Sequence, residues 1–214
     1  MKTLAIIDLG VGNLTSVKQA FESEILKSNL PISAICTNDL NILQTSVAVI
    51  LPGVGAFDYF MGALRKIDGL ENWIKSEIST AKRPFFCICV GMQILMTNGL
   101  ENNKNTPGLN LVSGAVKKLD LQNNPVPHVG WNDISIAKEH TIIENTFNQN
   151  DVYFTHSYHC DVEKSDTEKV LAYTDYEKRF VSAISFGKTI ATQFHPEKSG
   201  IVGRKMISNF LKTL

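Results

Sequence analysis

The sequence predicts an α/β fold with a mostly parallel central sheet, helices on both of its faces and an antiparallel extension. Three observations carry that prediction. Residues 4–9, 47–51 and 84–89 are apolar runs without a polar alternation, the pattern of parallel strands covered on both sides. Between them lie stretches with apolar residues three and four apart, the period of an amphipathic helix. Beyond Leu111 the chain changes to short strands separated by turn clusters.

Taken in order, residues 4–9 form a strand ending at Asp8-Leu9-Gly10, and Leu14, Val17, Phe21 and Ile25 mark one face of a helix. A strand over 32–37, a short helix near 38–45 and a strand over 47–51 follow. Helices fill roughly 56–65 and 70–81, residues 84–89 are a strand, and 90–98 are expected to be a helix. Short strands dominate from 111 to 193, with turns at Gln122-Asn123-Asn124-Pro125 and Glu163-Lys164-Ser165-Asp166, and read as antiparallel hairpins on the same core. Ile201, Met206, Ile207, Phe210 and Leu211 give a closing helix. With no internal repeat, low-complexity stretch or long linker, 1–214 is read as one domain, long enough to bury a sizeable core.

Lys plus Arg and Asp plus Glu balance at 21 each, against the basic excess that a sequence-independent nucleic-acid binder needs. The apolar stretch after Met1 is too short for a signal peptide, and no run approaches the roughly 20 residues that span a bilayer. A cytoplasmic location follows as an expectation, with Cys36, Cys87, Cys89 and Cys160 as reduced thiols.

Cys89 falls where a strand meets the following helix, the setting of a nucleophile elbow. The sharp turn lifts the side chain into the open, helix N–H groups face a developing oxyanion, and the positive helix end favours a thiolate. Such elbows need small residues two before and two after the nucleophile; Gly91 fits, and Cys87 stands on the other side. The structural alternative is two buried core cysteines. A zinc site is disfavoured because alternate strand residues face opposite ways and no second cysteine pair exists.

A cysteine nucleophile needs a base, and the base needs an orienting group. His195-Pro196-Glu197 near the C-terminus offers both: Pro196 holds His195 extended, and Glu197 is close enough to face its ring. His156 and His159 compete for the role of base. The loop Leu51-Pro52-Gly53-Val54-Gly55-Ala56-Phe57, with glycines on both sides of Val54, could turn an N–H outward as one oxyanion donor, with Val90 N–H as the other. The alternative is a plain β-to-α turn. Gly10-Val11-Gly12-Asn13 is not a dinucleotide fingerprint, since Thr15 stands where the third glycine belongs.

Together these segments resemble class I glutamine amidotransferases and, among them, the HisH family of glutaminase subunits of imidazole glycerol phosphate synthase. The resemblance runs through Gly10-Val11-Gly12-Asn13, Pro52-Gly53-Val54-Gly55-Ala56-Phe57, Cys89-Val90-Gly91-Met92-Gln93, Pro127-His128-Val129-Gly130-Trp131-Asn132, Tyr153-Phe154-Thr155-His156-Ser157-Tyr158 and Gln193-Phe194-His195-Pro196-Glu197-Lys198-Ser199. It implies the class I amidotransferase fold, a triad of Cys89, His195 and Glu197, and an oxyanion strand of Gly53, Val54 and Gly55. It also implies a glutamine pocket lined by Gln93, His156, Ser157 and Tyr158, and a contact of Trp131, Tyr153 and Lys198 with a HisF-type (β/α)₈ cyclase. No cofactor, metal, nucleic acid or membrane is implied. Cys87 departs from the family's glycine at that position. Three other readings share parts of this pattern: a paralogue feeding another synthase, such as surface-sugar amidination; a non-catalytic scaffold or regulatory protein; and a cysteine hydrolase of the same fold.

Overall fold

A computed structural model describes residues 2–144 and 151–214; Met1, part of the short leading stretch, lies outside the described residues. The strands are β1 (Lys2–Ile7), β2 (Ile32–Thr37), β3 (Ala48–Gly53), β4 (Phe85–Cys89), β5 (Met96–Glu101), β6 (Lys104–Pro107) and β7 (Val112–Lys118). They continue as β8 (His128–Asn132), β9 (Ser135–Ile136), β10 (Val152–His156), β11 (Tyr158–Val162), β12 (Val170–Tyr176), β13 (Lys178–Phe186) and β14 (Thr189–Thr192). The helices are α1 (Leu14–Lys27), α2 (Leu40–Thr45), α3 (Phe57–Arg65), α4 (Leu70–Ser79), α5 (Val90–Gln93) and α6 (Gly200–Leu211).

The main sheet runs in the order β2-β1-β3-β4-β14-β13-β11-β7-β5-β6. Its first five strands are mutually parallel. From β13 onward the pairing is antiparallel apart from β5 with β7. β12 lies along β13 and carries β9, while β8 and β10 form a separate antiparallel pair. Apart from the β8–β10 pair, the antiparallel strands therefore extend the central sheet from β14.

Successive side chains of β4 show how the sheet is covered. Phe86 makes edge and tilted ring contacts with Phe21 of α1 and Phe210 of α6. Phe85 packs on Trp73 of α4 instead. Neighbouring strand residues point to opposite faces, so α1 and α6 cover one face and α4 the other. The fully buried runs 4–6, 48–51 and 85–87 lie between these layers, which is why their sequences lack a polar alternation.

One expected element is corrected. The helix anticipated over 90–98 is the single turn α5, and Met96–Glu101 is a strand. Residues 90–96 are all buried, so that stretch has no solvent face of the kind an amphipathic helix needs. Met96–Glu101 is drawn into the sheet by non-local pairing with β7 and by a hairpin with β6. Gly99 allows this strand to lie against the Phe57 ring, which a β-carbon there would meet at 2.5 Å.

The register at the carboxyl ends of the parallel strands sets up the site. Gly53 stands opposite Cys89, and Thr192 opposite Ile88. The chain leaving β3, the end of β4 and the chain leaving β14 thus converge at one edge, where open α/β sheets bind ligands.

Candidate active site

Cys89 closes β4 with φ 54° and ψ −110°, a left-handed conformation that costs a non-glycine residue energy and is kept where the surroundings enforce it. The enforcement is visible on both sides. A β-carbon on Gly91 would lie 1.9 Å from the Leu51 carbonyl oxygen, and one on Gly53 would lie 2.7 Å from the Gly91 nitrogen. The two backbones touch, and only glycines allow it. Cys87 does not disturb the turn: it has no positive φ, it is fully buried, and burial pushes its thiol pKa up.

Because α5 is one turn long, it supplies little macrodipole; what remains is its first N–H groups, which have no acceptor within the turn. Val90 provides the first of them. On the neighbouring strand, Gly55 has φ +95° with open space around its Cα, so conformation rather than crowding calls for glycine there. Val54 between the two glycines is 38% exposed and faces the site.

His195 is extended, at φ −100° and ψ 97°. It is held from three directions: its N–H donates to the Tyr153 carbonyl at 2.9 Å, its carbonyl accepts from Ser199 Oγ at 2.6 Å, and its Nδ1 meets Glu197 Oε1 at 2.8 Å. A carboxylate on Nδ1 leaves Nε2 facing the cavity. Among the described residues no atom meets regular hydrogen-bond geometry at Nε2, and Cys89 acts there to hold a proton on the ring. Burial pulls the His195 pKa down, but hydrogen bonds to Cys89 and Glu197 and their charges overcome it and raise the value to about 10.

The two competing histidines are otherwise engaged. His156 uses both ring nitrogens, Nδ1 with the Tyr158 carbonyl at 2.9 Å and Nε2 with His128 at 3.0 Å, and burial pushes its pKa down to about 3. His159 faces the Cys160 carbonyl at 3.3 Å and does not line the cavity.

That cavity, about 330 Å³, is lined by Val54, Gly55, Cys89, Val90, Gln93, Glu101, Thr155, His156, Ser157, Tyr158 and His195. It gathers every predicted pocket residue and most of the predicted oxyanion residues; Gly53 lies just behind it, opposite Cys89. Gln93 reaches it with its amide nitrogen already donating to Tyr158 O and Gln193 Oε1. Sequence reasoning missed Glu101, whose Oε2 accepts the Phe57 N–H at 2.7 Å. It also missed Gln193, whose Nε2 is 3.6 Å from Cys89 Sγ, and Ser199. Glu101 meets the site from a distant part of the chain, and Gln193 and Ser199, at the two ends of the His195 motif, carry no local signature of their roles.

Trp131, Tyr153 and Lys198 form one outer cluster. Trp131 is 57% exposed, its ring meets Tyr153 edge-on at 6.0 Å, and Lys198 Nζ lies 5.8 Å over the Tyr153 ring. Val129, on the same face of β8, is 56% exposed. Among the described residues no group of His, Cys, Asp and Glu is placed to hold a metal ion, and no helix is long and apolar enough to cross a membrane.

The family model described as "Glutamine amidotransferase class-I" matches residues 5–214, so fold and match together make this chain a class I glutamine amidotransferase. Among its relatives, the imidazole glycerol phosphate synthase subunit HisH of Pelagibacter ubique is 40% identical, covering 97% of this chain and 98% of its own. The HisH subunits of Mesorhizobium japonicum and Methanosarcina barkeri are each 36% identical, with 98% and 99% of this chain covered and 98% of each relative. At that identity and coverage, the chain belongs to the HisH family. A crystal structure of a glutamine amidotransferase superposes with TM-score 0.68 at 17% identity, covering 98% of this chain and 97% of that one. A glutamine amidotransferase from Thermotoga maritima gives 0.61 at 16%, with 100% and 84% covered. These last two show the shared fold alone.

Proposed function

We propose that residues 1–214 act as one cytoplasmic domain that hydrolyses glutamine to glutamate and ammonia and delivers the ammonia to a HisF-type (β/α)₈ cyclase, for imidazole glycerol phosphate formation in histidine biosynthesis. The observation that carries this reading is the strained Cys89 beside a carboxylate-bound His195, in a cavity sized for a small amide substrate.

In this mechanism Cys89 thiolate attacks the side-chain amide carbon, and the N–H groups of Val90 and of the Gly53–Val54–Gly55 strand receive the oxyanion. His195, held protonated by Cys89 and Glu197, gives its proton to the leaving nitrogen, and ammonia departs from a γ-glutamyl thioester. The neutral ring then takes a proton from water, which cleaves the thioester to glutamate and restores the thiolate–imidazolium pair. Gln93, His156, Ser157 and Tyr158 shape the pocket. Glu101, at its edge, offers a carboxylate to the substrate ammonium.

Glu197→Gln tests the role of the carboxylate. The imidazolium form of His195 is fully present below the ordinary histidine value of 6.5 and is lost as pH rises through about 10. Removing the carboxylate takes away a hydrogen bond and a charge that raise this value. The alkaline limb of kcat/KM should therefore move to lower pH, with kcat down on the order of 10²-fold. An unmoved alkaline limb would show that Glu197 does not hold the proton on His195.

Free ammonia in neutral water becomes ammonium, which is not a nucleophile, so the product needs a sheltered route to an acceptor. The exposed Trp131–Tyr153–Lys198 cluster, with Val129 beside it, supports docking of the cyclase there. The test is glutamate release by the purified chain with and without its cognate cyclase and the ribulosyl aminoimidazole-carboxamide nucleotide. Stimulation by the nucleotide is expected. A complex that forms but ignores that nucleotide would move the acceptor to another synthase.

A further inference from the structure

Behind the cavity, six hydrogen-bonding groups are joined in a line that ends on the Cys89 sulfur. Its centre is the Tyr158 carbonyl, which can only accept. It accepts from His156 Nδ1 at 2.9 Å and from Gln93 Nε2 at 2.9 Å. This one acceptor orients the groups on both sides.

On the outer side, His156 must carry its proton on Nδ1 once it is neutral, so its Nε2 accepts from His128 Nδ1 at 3.0 Å. His128 Nε2 is then an acceptor for Asn132 Nδ2 at 3.4 Å. The Asn132 amide is independently fixed in that orientation, since Nδ2 donates to Asp175 O at 3.2 Å and Oδ1 accepts the Asp133 N–H at 2.9 Å. His128 is clamped between the Phe154 and Tyr176 rings, at centroid distances of 4.7 and 3.9 Å. Burial keeps both histidines neutral, with pKa values pushed down to about 4 for His128 and about 3 for His156.

On the inner side, Gln93 turns its nitrogen toward Tyr158 O and so also toward Gln193 Oε1, at 3.0 Å. With its oxygen occupied, Gln193 presents its amide nitrogen to Cys89 Sγ at 3.6 Å. Gln193 is fully buried and lies in the stretch that follows β14. A buried amide with its oxygen satisfied and its N–H groups aimed at sulfur favours the charged sulfur over the neutral one.

The geometry assigns Gln193 as a positioning residue that donates to the Cys89 thiolate, its orientation set through Gln93 by the Tyr158 carbonyl. The assignment deepens the glutaminase reading and rests on it.

The test uses the chain in complex with its cognate cyclase and compares Gln193→Met, Gln193→Glu and His128→Phe with the wild type. Iodoacetamide alkylation of Cys89, followed by peptide mass across pH, needs no glutamine; kcat and KM are measured in parallel. Gln193→Met removes the donor at similar volume, and its alkylation profile should move to higher pH by about one unit, with kcat down about tenfold. Gln193→Glu puts an acceptor where the donor stood and should move the profile further. His128→Phe, on the far side of the Tyr158 carbonyl, should leave it unchanged. KM should change by no more than about twofold, because the amide acts on sulfur rather than on substrate.

An unmoved profile in Gln193→Met overturns the assignment, as does a loss confined to KM. If Gln193→Met does not fold, Gln193→Glu decides, since it keeps the size and shape of the side chain; a wild-type profile there overturns the assignment. A wild-type chain that alkylates normally but never releases glutamate would sink the glutaminase reading, while the order of the profiles would still judge Gln193.

Discussion

Cys89→Ala is expected to abolish glutamine hydrolysis, with kcat falling by about 10⁴-fold or more, while the chain stays folded and still binds its cyclase. The sulfur is the atom that forms the thioester in this mechanism. The remaining oxyanion donors and His195 cannot split the reaction into two easier steps without it. Cys89 sits at the cavity wall and is only 4% exposed, so losing its sulfur should change stability by about 1 kcal/mol. Cys87→Ala is the matched control. Cys87 is fully buried in the core with its thiol pKa pushed up by desolvation, and its removal should leave most of the activity. Glutamate release and cyclase pull-down on both variants check this; turnover surviving in Cys89→Ala would mean that the nucleophile lies elsewhere.

Gly91→Ala should produce the largest loss of stability. The added methyl would sit 1.9 Å from the Leu51 oxygen and 3.1 Å from its carbonyl carbon. Both are main-chain atoms in the middle of a parallel sheet and cannot turn aside as a side-chain tip would. Either β3 separates from the elbow or the turn opens, and each breaks the Gly53–Cys89 register that sets the oxyanion strand beside the sulfur. A cost of about 3 kcal/mol or more follows, with activity lost even in the fraction that folds. Denaturant midpoints measure it. A wild-type midpoint would show that β3 and α5 do not approach as closely as described.

Much of the architecture could be read from the chain because the parallel core is chemically simple. The runs through Ile6, Ile50 and Phe86 are apolar on both faces since helices cover both faces, and that pattern survives in the linear sequence. The elbow was equally readable, because a strand, a cysteine and a glycine two residues on are local features. The stretch after it was not. Ile94, Leu95 and Met96 are uniformly buried, which fits a core helix as well as a strand, and the choice is made by pairing with β7 far along the chain. For the same reason His195 and Glu197, two residues apart, could be paired from sequence. Gln193, His128 and Glu101 could not, since each takes its place through partners from separate strands. Cys87 illustrates the opposite case: a departure from the expected glycine that the core absorbs, because the backbone there is ordinary strand.

Covalent labelling tests Cys89 as the nucleophile most directly. The chain, in complex with its cyclase, is incubated with a diazoketone analogue of glutamine, digested, and mapped by mass spectrometry. A single adduct on the peptide carrying Cys89 is expected, absent when glutamine competes, with Cys36, Cys87 and Cys160 unlabelled. Label on another cysteine, or none under conditions where glutamate is released, would contradict it.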